Sequence, residues 1–429
     1  MAVRLLLATL LLSAGYALTE EDPKNPAANA ERRDLKQDPK WVKTVHGAID
    51  RGVKWLLSKQ EHSGRFPPFE DSRGYYELGM HALATYTIIH GGHPLDSKET
   101  LRALRTLRKL YERHFNSMYT YEAGLVLLTL EAKYFAAPLN KHGKRIKRRK
   151  KQKISLADKD MATRLAVWLQ TKQQVGGLWR YPHGGQDLSN TQYAALGLWA
   201  AQRLGVPVNT GVIERMLDEV MARQQKGGKK VPFILDPKLR REKDTGERRS
   251  GTFIHARGWK YMPTEVTTTS DGKRIKRVYP YSGSMTSAGI AALAIGRVTL
   301  GKSIDKAQDR RLRRAMWEGL AWLQNNWDLL DNPGQPGNWP FYWLYGLERC
   351  ARLSGVEFIG QHDWYVEGAN RIMADQRANG SWPKRQRMRP PGGQNVRWWS
   401  DQVDTCFAVL FLARSTPEIK TPPPTITGG

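Results

Sequence analysis

The chain has 429 residues, and its 68 lysines and arginines against 41 aspartates and glutamates give a net charge of +27. Such an excess attracts polyanions: nucleic acid, anionic lipid or acidic polysaccharide. The amino terminus argues against nucleic acid. Arg4, the apolar run Leu5–Leu12 and the small-residue site at Gly15–Ala17 predict a cleaved signal peptide over residues 1–17. Because a membrane span needs about 20 apolar residues, we predict a secreted or periplasmic protein without a transmembrane span.

Two terminal stretches and two basic stretches have no helical pattern. Residues 18–40 are polar and contain three prolines, so we predict a flexible linker. Residues 415–429 contain a run of prolines and end in two glycines, which predicts a disordered tail. The loops at 141–153 and 226–249 are rich in lysine and arginine. These loops either keep the protein soluble or contact an acidic polysaccharide or an anionic lipid.

Between residues 41 and 414 the chain alternates two kinds of helical pattern. One kind places apolar residues on one helical face, as at Val45, Ile49 and Val53. The other kind is rich in small residues, as from Thr286 to Gly289, which lets helices pack closely. Together the patterns predict twelve helices, at about residues 41–60, 75–90, 97–115, 119–136, 156–174, 188–204, 209–224, 284–300, 306–327, 340–355, 361–377 and 403–414.

A short loop motif recurs after helices of the first kind. A glutamine is followed four residues later by glycine and two residues after that by an aromatic residue. The copies are Gln60, Gly64 and Phe66; Gln173, Gly177 and Trp179; and Gln376, Gly380 and Trp382. The glycine ends the helix where a left-handed residue costs little. We predict that the aromatic ring folds back and packs over the hairpin.

Twelve helices form six helical hairpins, and none can bury its apolar face alone, so the hairpins must stack on their neighbours. Neither end of the series has a polar capping repeat, which favours a closed ring over an open solenoid. We therefore predict an all-α fold, an (α/α)6 toroid over residues 41–414. Residues 225–282 interrupt the pattern, and we predict an insertion that contains a small hairpin.

The glutamine–tryptophan motif resembles the QW-type repeat of the terpenoid cyclase and protein prenyltransferase superfamily, which includes the squalene cyclases. The resemblance runs from about Trp41 to Arg414 and implies an α/α toroid. Phe341–Trp364, together with Asp404–Leu412, is similar to exported bacterial members of this superfamily.

The catalytic motifs of the superfamily are incomplete in this sequence. Squalene-type cyclases protonate an alkene with an Asp-x-Asp-Asp motif, which the sequence lacks. Protein prenyltransferases hold zinc with an Asp-x-Cys pair and a later histidine. Asp404 and Cys406 match the pair, but no histidine follows them. Because zinc needs at least three protein ligands, we predict no metal site and no cofactor.

We expect any functional site at the rim where the inner helices begin, because helix amino termini favour anions. Glu77 and Glu122 could act there as an acid and a base, or they could stabilise the dipoles of their own helices. Asp404 is a third catalytic candidate, or alternatively a helix cap. The ligand-binding candidates are Tyr76, Tyr121, Gln192, Tyr342 and Trp343.

Two functions remain open at this point. The protein is either a toroid that binds an unknown ligand or a protein at this rim, or an enzyme that acts on an isoprenoid or an acidic polysaccharide in its central cavity. The missing catalytic motifs favour binding. An apolar cavity would indicate an isoprenoid, and an open groove with arginine and tyrosine would indicate a polyanion. A filled centre would exclude both enzymes.

Overall fold

The computed structural model describes residues 35–68, 76–137, 153–182, 184–232, 253–268, 274–337, 339–383 and 401–419. The predicted signal peptide, residues 18–34 of the predicted linker and residues 141–152 of the first basic loop lie outside these residues. Residues 35–40 of the predicted linker are ordered, which corrects the prediction there: Lys36 pairs with Asp363 at 2.6 Å, and the first helix begins at Pro39. The described residues form twelve α-helices. They are α1 (Pro39–Ser58), α2 (Glu77–His90), α3 (Lys98–His114), α4 (Thr120–Phe135), α5 (Leu156–Thr171), α6 (Leu188–Arg203), α7 (Thr210–Ala222), α8 (Gly283–Leu300), α9 (Lys306–Asn325), α10 (Pro340–Ser354), α11 (Trp364–Ala374) and α12 (Asp401–Leu412).

The odd-numbered helices are amphipathic and begin at polar caps. The Asp38 carboxylate accepts from the Lys40 N–H at 2.9 Å at the start of α1, and Ser97 and Ser155 cap α3 and α5 in the same way. One face is buried in each of them; in α1 it includes Val45, Ile49, Val53 and Leu56. The exception is α9, in which every residue from Ala315 to Leu323 is buried and the insertion strand Phe253–Ala256 packs on it. These helices form the outer layer.

The even-numbered helices form a closed inner ring. Each packs on the next, α2 on α4, α4 on α6, α6 on α8, α8 on α10 and α10 on α12, and α12 packs on α2. Every residue of α6 from Leu188 to Ala201 is buried, as is every residue of α8 from Gly283 to Gly296. A helix buried on all sides is enclosed by neighbours. The predicted all-α (α/α)6 toroid is confirmed.

Each copy of the glutamine motif joins one outer helix to the next one around the ring. The Gln173 amide donates to the carbonyls of Gly177 and Val212, both at 2.8 Å, and so links α5 to α7. Gly177 has φ +88°, and a Cβ there would lie 2.4 Å from the Arg215 carbonyl oxygen. Only glycine fits this contact. The Gln376 amide donates in the same way to the Gly380 and Ala48 carbonyls, which joins the last hairpin to the first helix.

A further copy of the motif is split by the insertion, and sequence analysis missed it. Gln224 donates to the carbonyls of Arg257 at 3.2 Å and Ala315 at 2.9 Å, where a contiguous copy would bond its own loop and the next outer helix. The indole N–H of Trp259 donates to the Val220 carbonyl at 2.7 Å, and the side chain is fully buried. Residues 225–257 therefore extend one motif loop.

The strands are short and pair as four antiparallel hairpins among the described residues. β1 (Trp179–Arg180) pairs with β2 (Gln186–Asp187), and β7 (Phe358–Ile359) pairs with β8 (His362–Asp363). The insertion contributes two hairpins rather than the one predicted: β3 (Lys229–Pro232) with β4 (Phe253–Ala256), and β5 (Glu265–Thr268) with β6 (Arg274–Arg277). No helix of the described residues is long and apolar enough to cross a membrane.

The start of the predicted disordered tail is ordered, which corrects the prediction for residues 415–419. The backbone N–H and the hydroxyl of Thr416 both donate to the Glu348 carboxylate, at 3.0 and 2.7 Å. Ile419 N–H donates to the Arg352 carbonyl at 3.0 Å. A buried carboxylate needs such donors, so the segment is held against α10. Residues 420–429 lie outside the described residues.

Candidate functional site

The two candidate glutamates lie at adjacent inner-helix starts, but each has protein partners. Glu77 begins α2 and bonds Arg65 Nη1 at 2.6 Å and His114 Nε2 at 3.0 Å. Burial raises the pKa of Glu77, but the bonds from Arg65 and His114 lower it by more, so that the net pKa is below its usual value. Glu77 is thus a paired carboxylate at the rim, and its catalytic role stays a prediction.

Glu122 holds two chain segments together through backbone donors. Its Oε2 accepts from the Tyr119 N–H at 2.9 Å, which completes a capping box at the start of α4. Its Oε1 accepts from the Gly79 N–H of α2 at 3.0 Å. Burial raises the pKa of Glu122, although these two bonds lower it in part. The geometry gives Glu122 a structural task, and its catalytic role also stays a prediction.

The rim carries pairs of partly exposed tyrosines. Tyr76, which precedes α2 with φ 64°, lies against Tyr119 with ring centroids 5.0 Å apart. Tyr121 of α4 stacks on Tyr181 at 5.8 Å with an interplanar angle of 20°. In the insertion, Tyr261 lies 5.6 Å from Tyr279. All six residues keep some solvent exposure, although burial raises the pKa of the Tyr121 and Tyr181 phenols. Together they form an aromatic group at the mouth of the toroid.

Three of the predicted ligand-binding residues meet in one hydrogen-bonded group below these rings. The hydroxyl of Tyr342 receives a bond from the Gln192 amide and lies 3.0 Å from Ser189 Oγ. Ser189 Oγ also bonds the hydroxyl of Tyr121. Burial raises the pKa of Tyr342 to about 12, so these phenols are neutral donors and acceptors at neutral pH. Tyr121, Gln192 and Tyr342 therefore connect α4, α6 and α10 across the ring.

Sequence analysis missed Tyr181, Tyr261 and Asp187, which complete this group. The fully buried Asp187 caps α6, accepting from the Asn190 N–H at 2.7 Å and its side-chain amide at 2.9 Å. Burial raises the pKa of Asp187 to about 6, against the lowering effect of bonds from Asn190 and Tyr261. A signal was available, because both tyrosines follow a motif tryptophan by two residues, in Trp179-Arg180-Tyr181 and Trp259-Lys260-Tyr261.

Two further candidates, Trp343 and Asp404, have no recorded hydrogen bond to the tyrosine group in the described part of the chain. Trp343 is fully buried, and its indole N–H donates to the Asp328 carbonyl at 2.9 Å. Asp404 is buried within the first turn of α12. Burial raises the pKa of the Cys406 thiol to about 12, which disfavours the thiolate that a metal would bind. No group of three potential metal ligands is found among the described residues.

The axis of the ring is largely occupied by side chains. Tyr345 packs against Phe407 with ring centroids 5.4 Å apart, and Arg349 lies against Tyr345 and Tyr193. Within the part of the chain that the structure describes, a cavity of about 10 Å³ lies beside Arg349. A space of this size holds about one water molecule. It has no room for an isoprenoid or a sugar ring.

Solved structures similar to this chain include the type II terpene cyclase MstE from Scytonema in its apo form. It is 14% identical, covers 86% of this chain and 98% of its own, and has a TM-score of 0.47. A variant in complex with merosterolic acid A, its product, is 14% identical, with 87% and 97% coverage and a TM-score of 0.47. They are of the terpenoid cyclase class that the repeat resembles. No protein-family model matches the chain, and no curated protein matches it. Similarity at this level says nothing about what this chain binds.

Proposed function

We propose that the protein is an exported toroid that binds an acidic polysaccharide across its tyrosine rim and releases it unchanged. The observation that supports this proposal is the contrast between the axis and the rim. The axis has a cavity of about 10 Å³ beside Arg349, whereas the rim presents the partly exposed rings of Tyr76, Tyr119, Tyr121, Tyr181, Tyr261 and Tyr279. A long ligand that stays outside the ring suits this arrangement better than a small one enclosed within it.

The chemistry of the rim supports a sugar as the ligand. Tyrosine offers an apolar ring face for contact with a sugar ring and a hydroxyl for hydrogen bonds. The stacked pair Tyr121 and Tyr181 and the neighbouring Tyr261 place several such groups side by side. A chain of sugar units can contact them in series, and each contact adds to the affinity.

The charge near the rim supports an acidic sugar. Strand β6 carries Arg274, Lys276 and Arg277 with exposed side chains, and it lies between the rim tyrosines Tyr261 and Tyr279 in the chain. Amino termini of the inner helices add a favourable potential for anions. A carboxylated polymer would be attracted to both features, and more weakly at high salt.

The small central cavity disfavours an enzyme that encloses its substrate. A catalytic function on the same ligand at the rim is the second candidate, and Asp187 is the observation that favours it. A carboxyl group with a pKa of about 6 beside the Tyr261 phenol is suited to proton transfer near neutral pH. Asp187 is fully buried under its own helix cap, however. Binding without turnover is therefore the primary proposal.

Binding can be tested with polygalacturonate as the acidic probe and dextran as the neutral one. We expect the purified protein to bind polygalacturonate but not dextran in titration calorimetry, with weaker binding as salt is raised. Tyr181→Ala should weaken binding about tenfold through the lost ring contact. The control Trp168→Ala removes a partly exposed ring on an outer helix and should leave affinity unchanged.

The outcome that contradicts binding is equal affinity for both polymers, or equal loss in the two variants. Release of new reducing ends or unsaturated products that is abolished in Asp187→Asn would favour the enzyme instead. Export is tested separately by the mass of the protein secreted from its host, which should correspond to a chain beginning after Ala17.

A further inference from the structure

The cavity inside the ring lies towards the carboxyl-terminal ends of the inner helices, away from the rim. Tyr86 of α2, Glu131 of α4, Arg203 of α6 and Arg349 of α10 line it, and Thr416 of the ordered tail covers it. Four inner helices and the tail thus converge on one small polar space. The polysaccharide proposed for the rim has no part in this site.

Arg349 is a buried cation without a hydrogen-bond acceptor. Its side chain is 1% exposed, and none of its three guanidinium nitrogens has an acceptor among the described residues. The guanidinium lies 4.2 Å from the ring centroid of Tyr345 and 5.0 Å from that of Tyr193. These ring faces stabilise the charge in part. The Tyr193 phenol also interacts with the guanidinium, but none of the guanidinium nitrogens has an acceptor with hydrogen-bond geometry among the described residues.

The nearby carboxylates bond other groups. Glu131 Oε1 pairs with Arg203 Nη1 at 2.5 Å. Both oxygens of Glu348 accept from Thr416, and burial raises the pKa of Glu348. Among the residues that line the cavity, Arg203 and Glu131 form an ion pair, and Arg349 remains as one positive charge. Glu348, the preceding residue on α10, interacts with Arg349 electrostatically, but burial disfavours its charged form.

This charge cannot be removed by loss of a proton. Burial lowers the pKa of Arg349, but the phenols of Tyr193 and Tyr345 raise it by more. Arginine stays protonated in proteins. A buried charge without a close counter-ion is destabilising in a protein interior, so a small anion beside Arg349 would stabilise the folded ring.

We propose that Arg349 and the surrounding phenols bind one small monovalent anion, a halide such as chloride, at the centre of the toroid. The single excess charge sets the valence of the ion. The cavity of about 10 Å³ holds about one water molecule. A monatomic halide, somewhat larger than water, enters it with a small shift of the lining side chains, whereas a carboxylate-bearing molecule or a phosphate is too large. Halide ions accept hydrogen bonds, and the site offers the N–H donors of Arg349 and the O–H donors of the nearby phenols.

The anion stabilises the folded ring because it binds where α10, α6 and the tail converge, and this site does not exist in the unfolded chain. Stability should therefore rise with the logarithm of the halide concentration above the dissociation constant. Larger anions at the same ionic strength should not reproduce the effect.

The test uses the purified full chain in sodium chloride, sodium bromide and sodium gluconate at matched ionic strength. We expect Tm to increase with each tenfold rise in chloride or bromide and to remain constant in gluconate. Arg349→Met should abolish the halide dependence, whereas Arg310→Met, which removes an exposed charge on α9, should keep it. Equal halide dependence in Arg349→Met and the wild type would overturn the proposal.

Because Arg349→Met could fail to fold, bromide-containing crystals of the wild type provide a second measurement. We expect an anomalous peak within hydrogen-bond distance of the Arg349 guanidinium. Bromide peaks confined to the protein surface, with an uncharged water at the guanidinium, would refute the site regardless of the variants.

Discussion

The contiguous copies of the glutamine motif and the copy split by the insertion make the same contacts from different stretches of chain. Trp179 and Trp259 are both fully buried, and each indole N–H donates at 2.7 Å to a carbonyl of the preceding outer helix. Each backbone N–H donates at 3.2 Å to a threonine of the next inner helix, Thr191 or Thr286. The repeat is therefore conserved in space even where the spacing in sequence is lost.

The insertion enters the ring between the glutamine and the tryptophan of one motif copy. Residues 225–257 leave the motif after its glutamine and return before Gly258 and Trp259, so the two bonding groups remain in place. The segment between them contributes β3, whose Lys229, Lys230 and Pro232 are exposed, and β4, which packs on α9. A surface loop can be lengthened at a small entropic cost. The ring therefore tolerates the insertion, because the insertion leaves the hydrogen bonds of Gln224 and Trp259 intact.

The largest expected effect comes from the buried tryptophans. Trp259→Ala and Trp179→Ala should each destabilise the protein by about 3–5 kcal/mol, because each leaves a large cavity and an unpaired carbonyl. Urea denaturation of both variants measures the difference. The half-buried Trp168 serves as the control, with a smaller loss on replacement by alanine. A loss in Trp259→Ala close to that of the control would show that the split copy is not equivalent.

The helices could be predicted from the sequence because apolar periodicity and small-residue runs are local properties. The ring also followed, since helices such as α8 with no polar face must be enclosed. The split motif could not be found by fixed spacing, because Gln224 and Trp259 are separated by the insertion. Its pairing depends on three-dimensional contacts with Ala315 that no local pattern encodes.

The site was predictable where it lies on the inner helices and not where it lies on loops. Tyr76, Tyr121 and Tyr342 were proposed from their places at helix starts. The structure places Tyr76 and Tyr121 at the rim and Tyr342 buried below it, and their binding role stays a prediction. Tyr181 and Tyr261 reach the same rim from loops, where position follows from folding and not from helical period. The charge at Arg349 was missed because it lies in the second half of α10, between Glu348 and Arg352, where no motif distinguishes it.

An effect of intermediate size on stability is expected at the first motif copy. There His81 accepts the bond from the backbone N–H of the motif's aromatic residue, as Thr191 does in the second copy. The Phe66 N–H donates to His81 Nδ1 at 3.1 Å, and Nε2 lies 2.9 Å from the Ala103 carbonyl. Burial lowers the pKa of His81 from 6.5 to about 4, with Ala103 and Glu77 opposing the shift. The folded state therefore binds fewer protons than the unfolded state between these values.

Stability should consequently be full above pH 6.5 and fall as the pH decreases towards 4, by up to about 1.4 kcal/mol per pH unit. Urea denaturation across this range measures the slope. His81→Asn keeps an acceptor near Nδ1 but does not titrate, so its slope should be smaller. The exposed His62, replaced by asparagine, is the control and should leave the slope unchanged. Identical slopes in all three proteins would rule out His81 as the source.

The smallest expected effect on stability comes from two glutamines. Gln376 joins the last hairpin to the first helix, and Gln224 belongs to the split copy. Gln376→Leu and Gln224→Leu each remove an amide that donates to two carbonyls. A net loss of about 1–2 kcal/mol is expected for each, because the carbonyls at the loops can partly recover bonds to water.

Hydrogen exchange separates the two variants where total stability does not. Gln376 contacts Ala48 and its side chain accepts from Arg51, so Gln376→Leu should raise amide exchange in α1. Gln224→Leu should raise exchange in the part of α9 around Ala315 and leave α1 protected. If the two variants instead speed exchange uniformly around the ring, the glutamines would act on the toroid as a whole. The split and contiguous copies would then be equivalent only in the packing of Trp259 and Trp179, and not in the role of their glutamines.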